Sequence, residues 1–159
     1  MTAKEIINLL ESRLTDAIDA SVPDGMHPHI RVKPDRLIGL CTFLKEDPAL
    51  RFDLLRCITA VDYPQRNEIE LSYDLVSIPH VHAIAVKVSL DRVDPRIESA
   101  SGIWAAAEWH EREAWDMMGV KFLNHPDPRR ILMPEDWTGH PLRKDYQDPA
   151  EYHGWEIKP

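Results

Sequence analysis

One glutamate of this chain stands where a carboxylate could do chemistry. Glu111 lies in the run from Ile103 to Met118, which contains good helix formers and no proline. At about 100° per residue, Glu111 projects near the middle of the apolar side of such a helix, where an unpaired carboxylate is costly. It therefore needs a cation or backbone donors. A half-buried glutamate could act as a general acid or base, because burial raises a carboxyl pKa.

The cations that could meet Glu111 lie in the C-terminal part of the chain. An arginine can hold a carboxylate with two parallel hydrogen bonds and thereby lower its pKa. We therefore expect a structural ion pair between Glu111 and either Arg129 or Arg130. The competing hypothesis is an independent soluble enzyme that uses Glu111, His110 and His125 at a cleft between helix and tail.

The histidines suggest a metal site only weakly. His27 with His29, and His80 with His82, each place two imidazoles on one face of an extended segment. A mononuclear site needs a third ligand and a shielded second shell, which the sequence does not identify. We interpret all four as solvated residues at strand ends. The chain also contains no His-Glu-x-x-His zinc motif, nucleophile elbow, phosphate loop or dinucleotide fingerprint.

The segment that positions Glu111 is predicted to be a helix from Ile103 to Met118, ended by Gly119. Glycine is suited to the left-handed conformation that commonly caps a helix C-terminus. The expected apolar arc contains Ile103, Trp104, Ala107, Ala114, Trp115, Met117 and Met118, and the other side carries Arg112, Glu113 and Asp116.

The tail from residue 123 to residue 159 contains six prolines and no sustained apolar periodicity, so long helices and strands are disfavoured. Its large apolar residues are too many for a disordered segment. We expect it to lie extended along a surface, formed partly by this domain and for the remainder by a partner. The alternative is a tail folded wholly back on its own domain. The apolar anchors are Ile131, Leu132, Met133, Trp137, Leu142, Tyr146, Tyr152 and Trp155.

The residues before the tail predict one α+β domain, residues 1–122, with a mixed or antiparallel sheet covered by helices. An amphipathic helix is expected from Thr2 through Ile18, and another from Pro34 to near Pro48. Asp62 is interpreted as part of a strand-terminating turn. Strands are expected at residues 29–33, 52–61, 69–77 and 81–90, the last two forming an antiparallel hairpin across residues 78–80.

Composition excludes several function classes. The net charge of −8 without a basic block argues against nucleic acid as a partner. Cys41 and Cys57 are too few for a zinc or iron–sulfur ligand set, and both lie in apolar runs, so free buried thiols in a reducing compartment are expected. No apolar run approaches about 20 residues, so no direct membrane insertion is expected. The N-terminus has no basic or Arg-rich targeting pattern.

Three stretches carry a resemblance to a known family. EREAWDMMGV, HPDPRRIL and PEDWTGHPLRKDY, within residues 111–146, resemble the signature of the family of C subunits of NADH:quinone oxidoreductase, respiratory complex I. The acidic, basic, aromatic and apolar positions agree with the spacing intact. The chain departs from the pattern at Pro128, where the family commonly has an apolar residue, and at Gln147, where it often has proline.

The resemblance implies a cofactor-free structural subunit of the peripheral arm of a proton-translocating complex. Such a subunit packs against the large subunit that shapes the quinone site and against neighbouring iron–sulfur subunits, while flavin and iron–sulfur clusters belong to those partners. It is expected on the cytoplasmic side of the cell inner membrane. The alternative is the equivalent subunit of a ferredoxin- or F420-linked complex or of a membrane-bound hydrogenase.

On this hypothesis residues 123–159 are a partner-binding arm, and no catalytic, cofactor-binding or metal-binding residue is expected in the chain. The residues predicted to bind the partner are Trp104, Glu111, Arg112, Glu113, Trp115, Asp116, His125, Arg129, Arg130, Trp137, His140, Arg143, Lys144 and Tyr146.

Overall fold

A computed structural model describes residues 1–157, so the last two residues of the predicted arm lie outside the described part. The order of helices and strands confirms the predicted α+β class. The elements are α1 Ala3–Arg13, β1 Ile18–Val22, β2 His29–Val32, α2 Leu37–Glu46, β3 Leu54–Tyr63, β4 Glu68–Ser77, β5 His82–Asp91, β6 Arg96–Glu98, α3 Ala107–Met118, β7 Lys121–Leu123, β8 Glu151–Tyr152 and β9 Trp155–Glu156, with 3₁₀ turns at Pro34–Arg36 and Pro64–Arg66.

The main sheet has five strands in the order β1-β2-β5-β4-β3. Its pairs are antiparallel except for β2 and β5, which run parallel. The predicted hairpin between β4 and β5 is confirmed, with Ile69 opposite Leu90 and Ser77 opposite His82. Buried and less buried residues alternate along both strands, as expected for a sheet with one face against the core.

The predicted first helix is wrong in its second half. Thr2 caps α1 as a capping box with Glu5, but the helix ends at Arg13 and residues 18–22 form the edge strand β1. Ala17 and Ile18 fit a helical stripe, and Ile18 equally fits a strand whose backbone groups pair with β2. Pairing with β2 decides between the two, and local spacing cannot show that pairing.

A second, parallel pair of strands was not predicted. β6 and β7 contain three residues each, too few to show an alternating pattern in the sequence. Ile97 and Phe122 lie opposite each other and are both buried. The pair brings the Ser99–Ala100 segment beside α3, because the Ser99 N–H donates to the Leu123 carbonyl.

Residues 124–150 form no helix or strand, and a hairpin of two-residue strands, β8 and β9, follows them. The division into a domain of residues 1–122 and an arm of residues 123–159 stays a prediction. Within the described residues, no helix is both long and apolar enough to cross a membrane.

Candidate partner-binding surface

The helix α3 carries five of the predicted partner-binding residues, and its end is as predicted. Gly119 adopts φ 77° and its N–H donates to the Trp115 carbonyl at 2.8 Å, which closes the helix. The predicted start of the helix, Ile103, is wrong by four residues, because α3 begins at Ala107. Ile103 and Trp104 instead form a turn in which both of their N–H groups donate to the Ala100 carbonyl. Trp104 is buried there, and its indole N–H donates to the Phe52 carbonyl at 2.9 Å.

Asp116 is fully buried, which corrects its prediction on the outward side of the helix. Its carboxylate accepts three backbone N–H groups of the arm, from Ile131, Leu132 and Met133, at 2.8–3.0 Å. The Arg130 guanidinium also donates to it, at 2.5 Å. Burial alone would raise the pKa of Asp116, but the backbone donors and Arg130 outweigh burial and lower that pKa. Asp116 is therefore an ionised anchor for the arm.

Arg112 is buried as well, although it too was predicted on the outward side. Its Nε donates to the Arg129 carbonyl at 3.0 Å and its Nη2 to the Arg130 carbonyl at 3.2 Å. Its guanidinium also lies 5.0 Å from the centre of the Trp109 ring. One side of α3 thus packs on the core, and the arm covers the part of the other side that carries Arg112 and Asp116.

Glu111 is buried, as its place in the apolar arc predicted, but its partners are not the predicted arginines. The carboxylate accepts the Ser99 hydroxyl at 2.5 Å and the Ala100 N–H at 2.7 Å. Arg129 instead pairs with Asp127, at 2.6 Å. The predicted ion pair between Glu111 and a tail arginine is therefore wrong, because the Ser99–Ala100 segment supplies the donors.

The pKa of Glu111 is raised to about 7, whereas arginines were expected to lower it. Burial is the cause, and the hydrogen bonds from Ser99 and Ala100 oppose it only in part. His125 lies close, with its Nε2 3.8 Å from the carboxylate. Because His125 Nδ1 accepts the Asp127 N–H, Nε2 carries the proton and donates it to the Glu108 carbonyl at 3.0 Å. Both Glu111 oxygens are thus engaged by neighbouring chain segments.

The middle of the arm is held together by its own hydrogen bonds. The Arg130 Nη2 donates to the carbonyls of Trp137 and Gly139 at 2.9 and 3.0 Å. The Trp137 indole N–H donates to the Tyr146 hydroxyl at 2.9 Å. Gly139 has φ 86°, and a Cβ there would lie 2.9 Å from the Tyr146 ring, so only glycine fits this approach.

The next part of the arm lies against the C-terminus of α3. His140 Nδ1 donates to the Asp116 carbonyl at 3.0 Å, and burial together with the nearby arginines lowers the His140 pKa. Arg143 donates through Nε to the Met118 carbonyl at 2.7 Å and through Nη1 to the Arg92 carbonyl at 3.0 Å. Two of the three guanidinium nitrogens of Arg143 therefore donate inside this chain.

A second buried carboxylate, Asp62, holds the far part of the arm. Arg92 pairs with it through two nitrogens at 2.6 and 2.9 Å, and the Lys144 N–H donates to it at 2.8 Å. The Arg92 guanidinium lowers the pKa of Asp62 and also binds Asp145 at 2.7 Å. The predicted strand-terminating turn is present, because β3 ends at Tyr63 and a 3₁₀ turn follows at Pro64–Arg66, but the turn does not account for the pairing of Asp62. Its place on the buried face of β3, two residues beyond Ala60, is the signal for a paired carboxylate.

Other predicted residues stay at the surface. Glu113 and Lys144 are exposed, and the Arg129 side chain is 67% exposed. Trp115 is half-buried, and the Arg130 guanidinium lies 5.6 Å from the centre of the Trp115 ring. Large apolar side chains also remain in solvent. This exposed apolar set comprises Trp109, Leu132, Leu142 and Trp155, with exposures between 54% and 79%.

The histidine pairs are only partly at the surface. His82 is buried and its Nε2 donates to the Leu50 carbonyl at 2.7 Å, so the prediction of a solvated residue is wrong for it. Burial lowers its pKa. Across residues 1–157, no three His, Cys, Asp or Glu side chains come close enough together to hold a metal ion. Cys41 is buried, as expected, while Cys57 is half-buried, and both are free.

The family profile described as respiratory-chain NADH dehydrogenase, 30 Kd subunit, matches residues 30–152. The chain belongs to this family. The sequence resemblance drawn from residues 111–146 is therefore confirmed, and the match extends over most of the sheet. The family is one of electron transport, and its curated relatives are subunits of NADH-quinone oxidoreductase.

Two relatives, both described as C subunits of NADH-quinone oxidoreductase, show the extent of the similarity. That of Moorella thermoacetica is 48% identical over 130 residues, covering 81% of this chain and 86% of the relative. That of Chloroherpeton thalassium is 40% identical over 151 residues, covering 94% of this chain but only 62% of the relative. The chain thus spans less than two thirds of some relatives.

Two solved structures share the fold of this family member. A trypsin-resistant fragment of Nqo5, residues 1–134 of that protein, is 25% identical with a TM-score of 0.66 and covers 78% of this chain and 98% of the fragment. A chain of the membrane-bound sulfane sulfur reductase, an archaeal respiratory membrane complex, is 28% identical with a TM-score of 0.72. It covers 94% of this chain and 88% of that one.

Proposed function

We propose that this chain is a cofactor-free structural subunit in the peripheral arm of a proton-translocating NADH:quinone oxidoreductase. It would hold the large quinone-site subunit and neighbouring iron–sulfur subunits in register, on the cytoplasmic side of the inner membrane. Flavin and iron–sulfur clusters would belong to those partners. Family membership supports a place in such a complex. The role of a scaffold rests on one structural observation, the exposed apolar set carried by α3 and an anchored arm.

The arm is anchored by polar groups but leaves three of its large apolar side chains, Leu132, Leu142 and Trp155, exposed. Asp116 and Asp62 each bind arm backbone, so that part of the segment is ordered before any partner arrives. Leu132 and Leu142 lie between those anchoring points in the chain, 60% and 54% exposed. An ordered backbone presenting exposed apolar anchors lowers the entropic cost of association. This arrangement fits a docking arm.

Proteolysis offers a test of whether a partner covers the arm, because a trypsin-resistant fragment of one relative has been solved. That fragment covers 78% of this chain, so part of the length of this chain has no counterpart in it. The arm of this chain contains trypsin sites at Arg129, Arg130, Arg143 and Lys144. We infer that trypsin removes the arm from the isolated chain faster than from the assembled complex, because a partner covers it.

The test is a purification from source membranes with a tagged chain. Gentle detergent extraction is expected to recover the chain with a large subunit and iron–sulfur subunits, identified by mass spectrometry, and its trypsin cleavage is expected to slow in that complex. Recovery as a soluble monomer without any of them would overturn the proposal. Glu111→Gln separates it from the independent enzyme, which would lose turnover with its fold intact.

A related complex is the second candidate, because the structure in the sulfane sulfur reductase covers 94% of this chain. In that case the arm and its docking stay the same while the electron donor differs. The presence of an NADH-oxidising flavoprotein among the recovered subunits supports the first proposal. Its absence, with a ferredoxin-linked or hydrogenase-type subunit present instead, supports the second.

A further inference from the structure

A small cleft lies between α3, β7 and the first residues of the arm. Its apolar lining is Trp115, Phe122 and Pro128, and its polar lining is Glu111, Arg112, Lys121 and His125. Its volume is about 180 Å³. Pro128 is one of the two positions where the chain departs from the family pattern, so this part of the lining is formed by a residue that the sequence resemblance did not explain.

The size of the cleft restricts what it can hold. Cofactor and small-molecule sites usually enclose about 300–1,000 Å³. A volume of about 180 Å³ lies below that range. The cleft therefore suits one large side chain rather than a whole cofactor.

The polar groups around the cleft are already engaged within the chain. Arg112 donates to two arm carbonyls and lies 3.5 Å from the Asp127 carboxylate. Lys121 pairs with Asp94 at 2.8 Å. The Glu111 oxygens accept the Ser99 hydroxyl and the Ala100 N–H. A charged occupant would have to displace these contacts, whereas an apolar side chain would not.

The surface beside the cleft has the features of an interaction hot spot. Trp109 is 60% exposed. Its ring stacks on the guanidinium of Arg112, which lines the cleft. Aromatic and arginine side chains around a pocket that an apolar anchor can fill are typical of the energetically dominant part of an interface. The sequence pattern did not predict this role for Trp109.

Charge decides between a second copy of this chain and a different protein as the source of the occupant. The chain carries a net charge of −8, so two copies brought face to face would repel each other. Because the chain belongs to a family of complex subunits, another subunit is available to provide the side chain that occupies the cleft.

Resting on the proposed function, we propose that this cleft receives one apolar side chain of the partner subunit, so that α3 and the arm form a single docking site. Trp109 lies beside the cleft, stacked on Arg112, and contributes exposed apolar surface to the same site. Docking there buries Lys121 together with the cleft.

The first experiment measures the accessibility of the cleft with a thiol label. Lys121→Cys and Lys4→Cys are compared, because both lysines are half-exposed, 53% and 57%, and each is paired with one aspartate. Both cysteines are expected to react with a maleimide in the isolated chain. In the detergent-extracted complex Lys121→Cys is expected to react at least tenfold more slowly while Lys4→Cys is unchanged. The wild-type chain gives the background from Cys41 and Cys57.

The second experiment blocks the cleft. Lys121→Trp fills it from an exposed strand position and is expected to reduce recovery of the chain in the complex at least tenfold in competition with the wild type. Lys4→Trp adds the same side chain on α1 and is expected to assemble normally. Circular dichroism of both isolated variants controls for folding.

The outcomes separate this inference from the proposed function. If the wild type assembles but Lys121→Cys stays fully reactive in the complex, the cleft inference is overturned and the proposed function stands. If the wild type recovers no other subunit, both are overturned. A dimeric isolated chain in which Lys121→Cys is already protected would assign the cleft to a second copy and overturn the inference.

Discussion

The two halves of α3 each contain a buried carboxylate, and the pKa values of these two carboxylates are shifted in opposite directions. Glu111 and Asp116 are both fully buried on the same helix. Near the N-terminal end, Glu111 has one hydroxyl and one backbone donor, and burial raises its pKa to about 7. At the C-terminal end, Asp116 has three backbone donors and an arginine, which together lower its pKa. The number of donors therefore decides the charge state.

This difference shows which end of α3 the arm depends on. Every donor to the Asp116 carboxylate comes from arm residues, whereas both donors to Glu111 come from the segment after β6. The Asp116 end thus fixes the arm, and the Glu111 end joins the helix to its own domain. Loss of the first carboxylate should release the arm, and loss of the charge on the second should stabilise the domain.

The largest effect is expected from Asp116→Ala. It leaves the Arg130 guanidinium and three arm N–H groups without their acceptor, and breaking a buried pair of this kind costs about 3–5 kcal/mol. The free energy of unfolding, from urea denaturation at pH 7, measures the loss. Asp116→Asn keeps one carbonyl acceptor and should lose less. Equal stability of Asp116→Ala and the wild type would show that the arm is not anchored here.

The Asp116 contribution also has a pH dependence. Its pKa is lowered below the ordinary value of 3.8, so its stabilisation is present above pH 3.8 and is lost as pH falls through the lower, folded-state value. The free energies of unfolding of Asp116→Ala and the wild type should therefore approach each other at the acidic end of a pH profile. A difference that persists undiminished at the lowest pH would contradict an ionised anchor.

The second effect has the opposite sign. Because the pKa of Glu111 is raised from 4.5 to about 7, the contribution of Glu111 to stability is greatest below pH 4.5 and is lost as pH rises through 7. Glu111→Gln cannot ionise and should be more stable than the wild type at pH 8, by up to about 3 kcal/mol. Thermal unfolding at pH 5 and pH 8 measures this.

The exposed neighbour Glu113 provides the matched control for Glu111. Glu113→Gln makes the same chemical change at an exposed position and should change the free energy of unfolding by less than about 0.5 kcal/mol. If Glu111→Gln is less stable at pH 8 than the wild type, the carboxylate is favourably ionised there. The proposed contrast with Asp116 would then be wrong.

The sequence predicted α3, its glycine cap and the burial of Glu111, because these follow from local spacing. The strands β4 and β5 alternate clearly, so their hairpin was predictable for the same reason. The partners of the buried charges were not predictable. They come from the arm and from the Ser99–Ala100 segment, whose approach depends on the three-dimensional path of irregular backbone.

The misplacement of Arg112 and Asp116 has a specific cause. A helical pattern with one apolar side predicts that the other side faces solvent. Here the polar side is covered by backbone of the arm, which offers N–H and carbonyl groups that charged side chains can satisfy. A buried polar side of a helix looks the same in sequence as a solvated one.

The third prediction concerns Gly119→Ala, which tests the contact between the arm and the C-terminal end of α3 while Asp116 keeps its charge. Gly119 has φ 77°, and a Cβ there would lie 2.7 Å from the His140 ring, so Gly119→Ala adds both backbone strain and a clash. We expect a loss of about 1–3 kcal/mol and faster trypsin cleavage of the arm. Gly102→Ala is the control, because nothing lies within 4 Å of a Cβ there. Equal losses in both variants would contradict a close approach of the arm to the helix end.

The smallest effect on stability, and a clear one on assembly, is expected from the exposed apolar set. Leu132 is 60% exposed, so Leu132→Ser should change the free energy of unfolding by less than about 0.5 kcal/mol. If a partner buries Leu132, the affinity for that partner should fall by about 1–2 kcal/mol, roughly 5- to 30-fold.

Met26→Ser, at a position 89% exposed in the β1–β2 connection, is the control and should assemble normally. Competition with the wild-type chain during complex recovery measures both. Equal recovery of the two variants would mean that the arm contacts its partner through its polar groups, and the contrast between the ends of α3 would then concern stability alone.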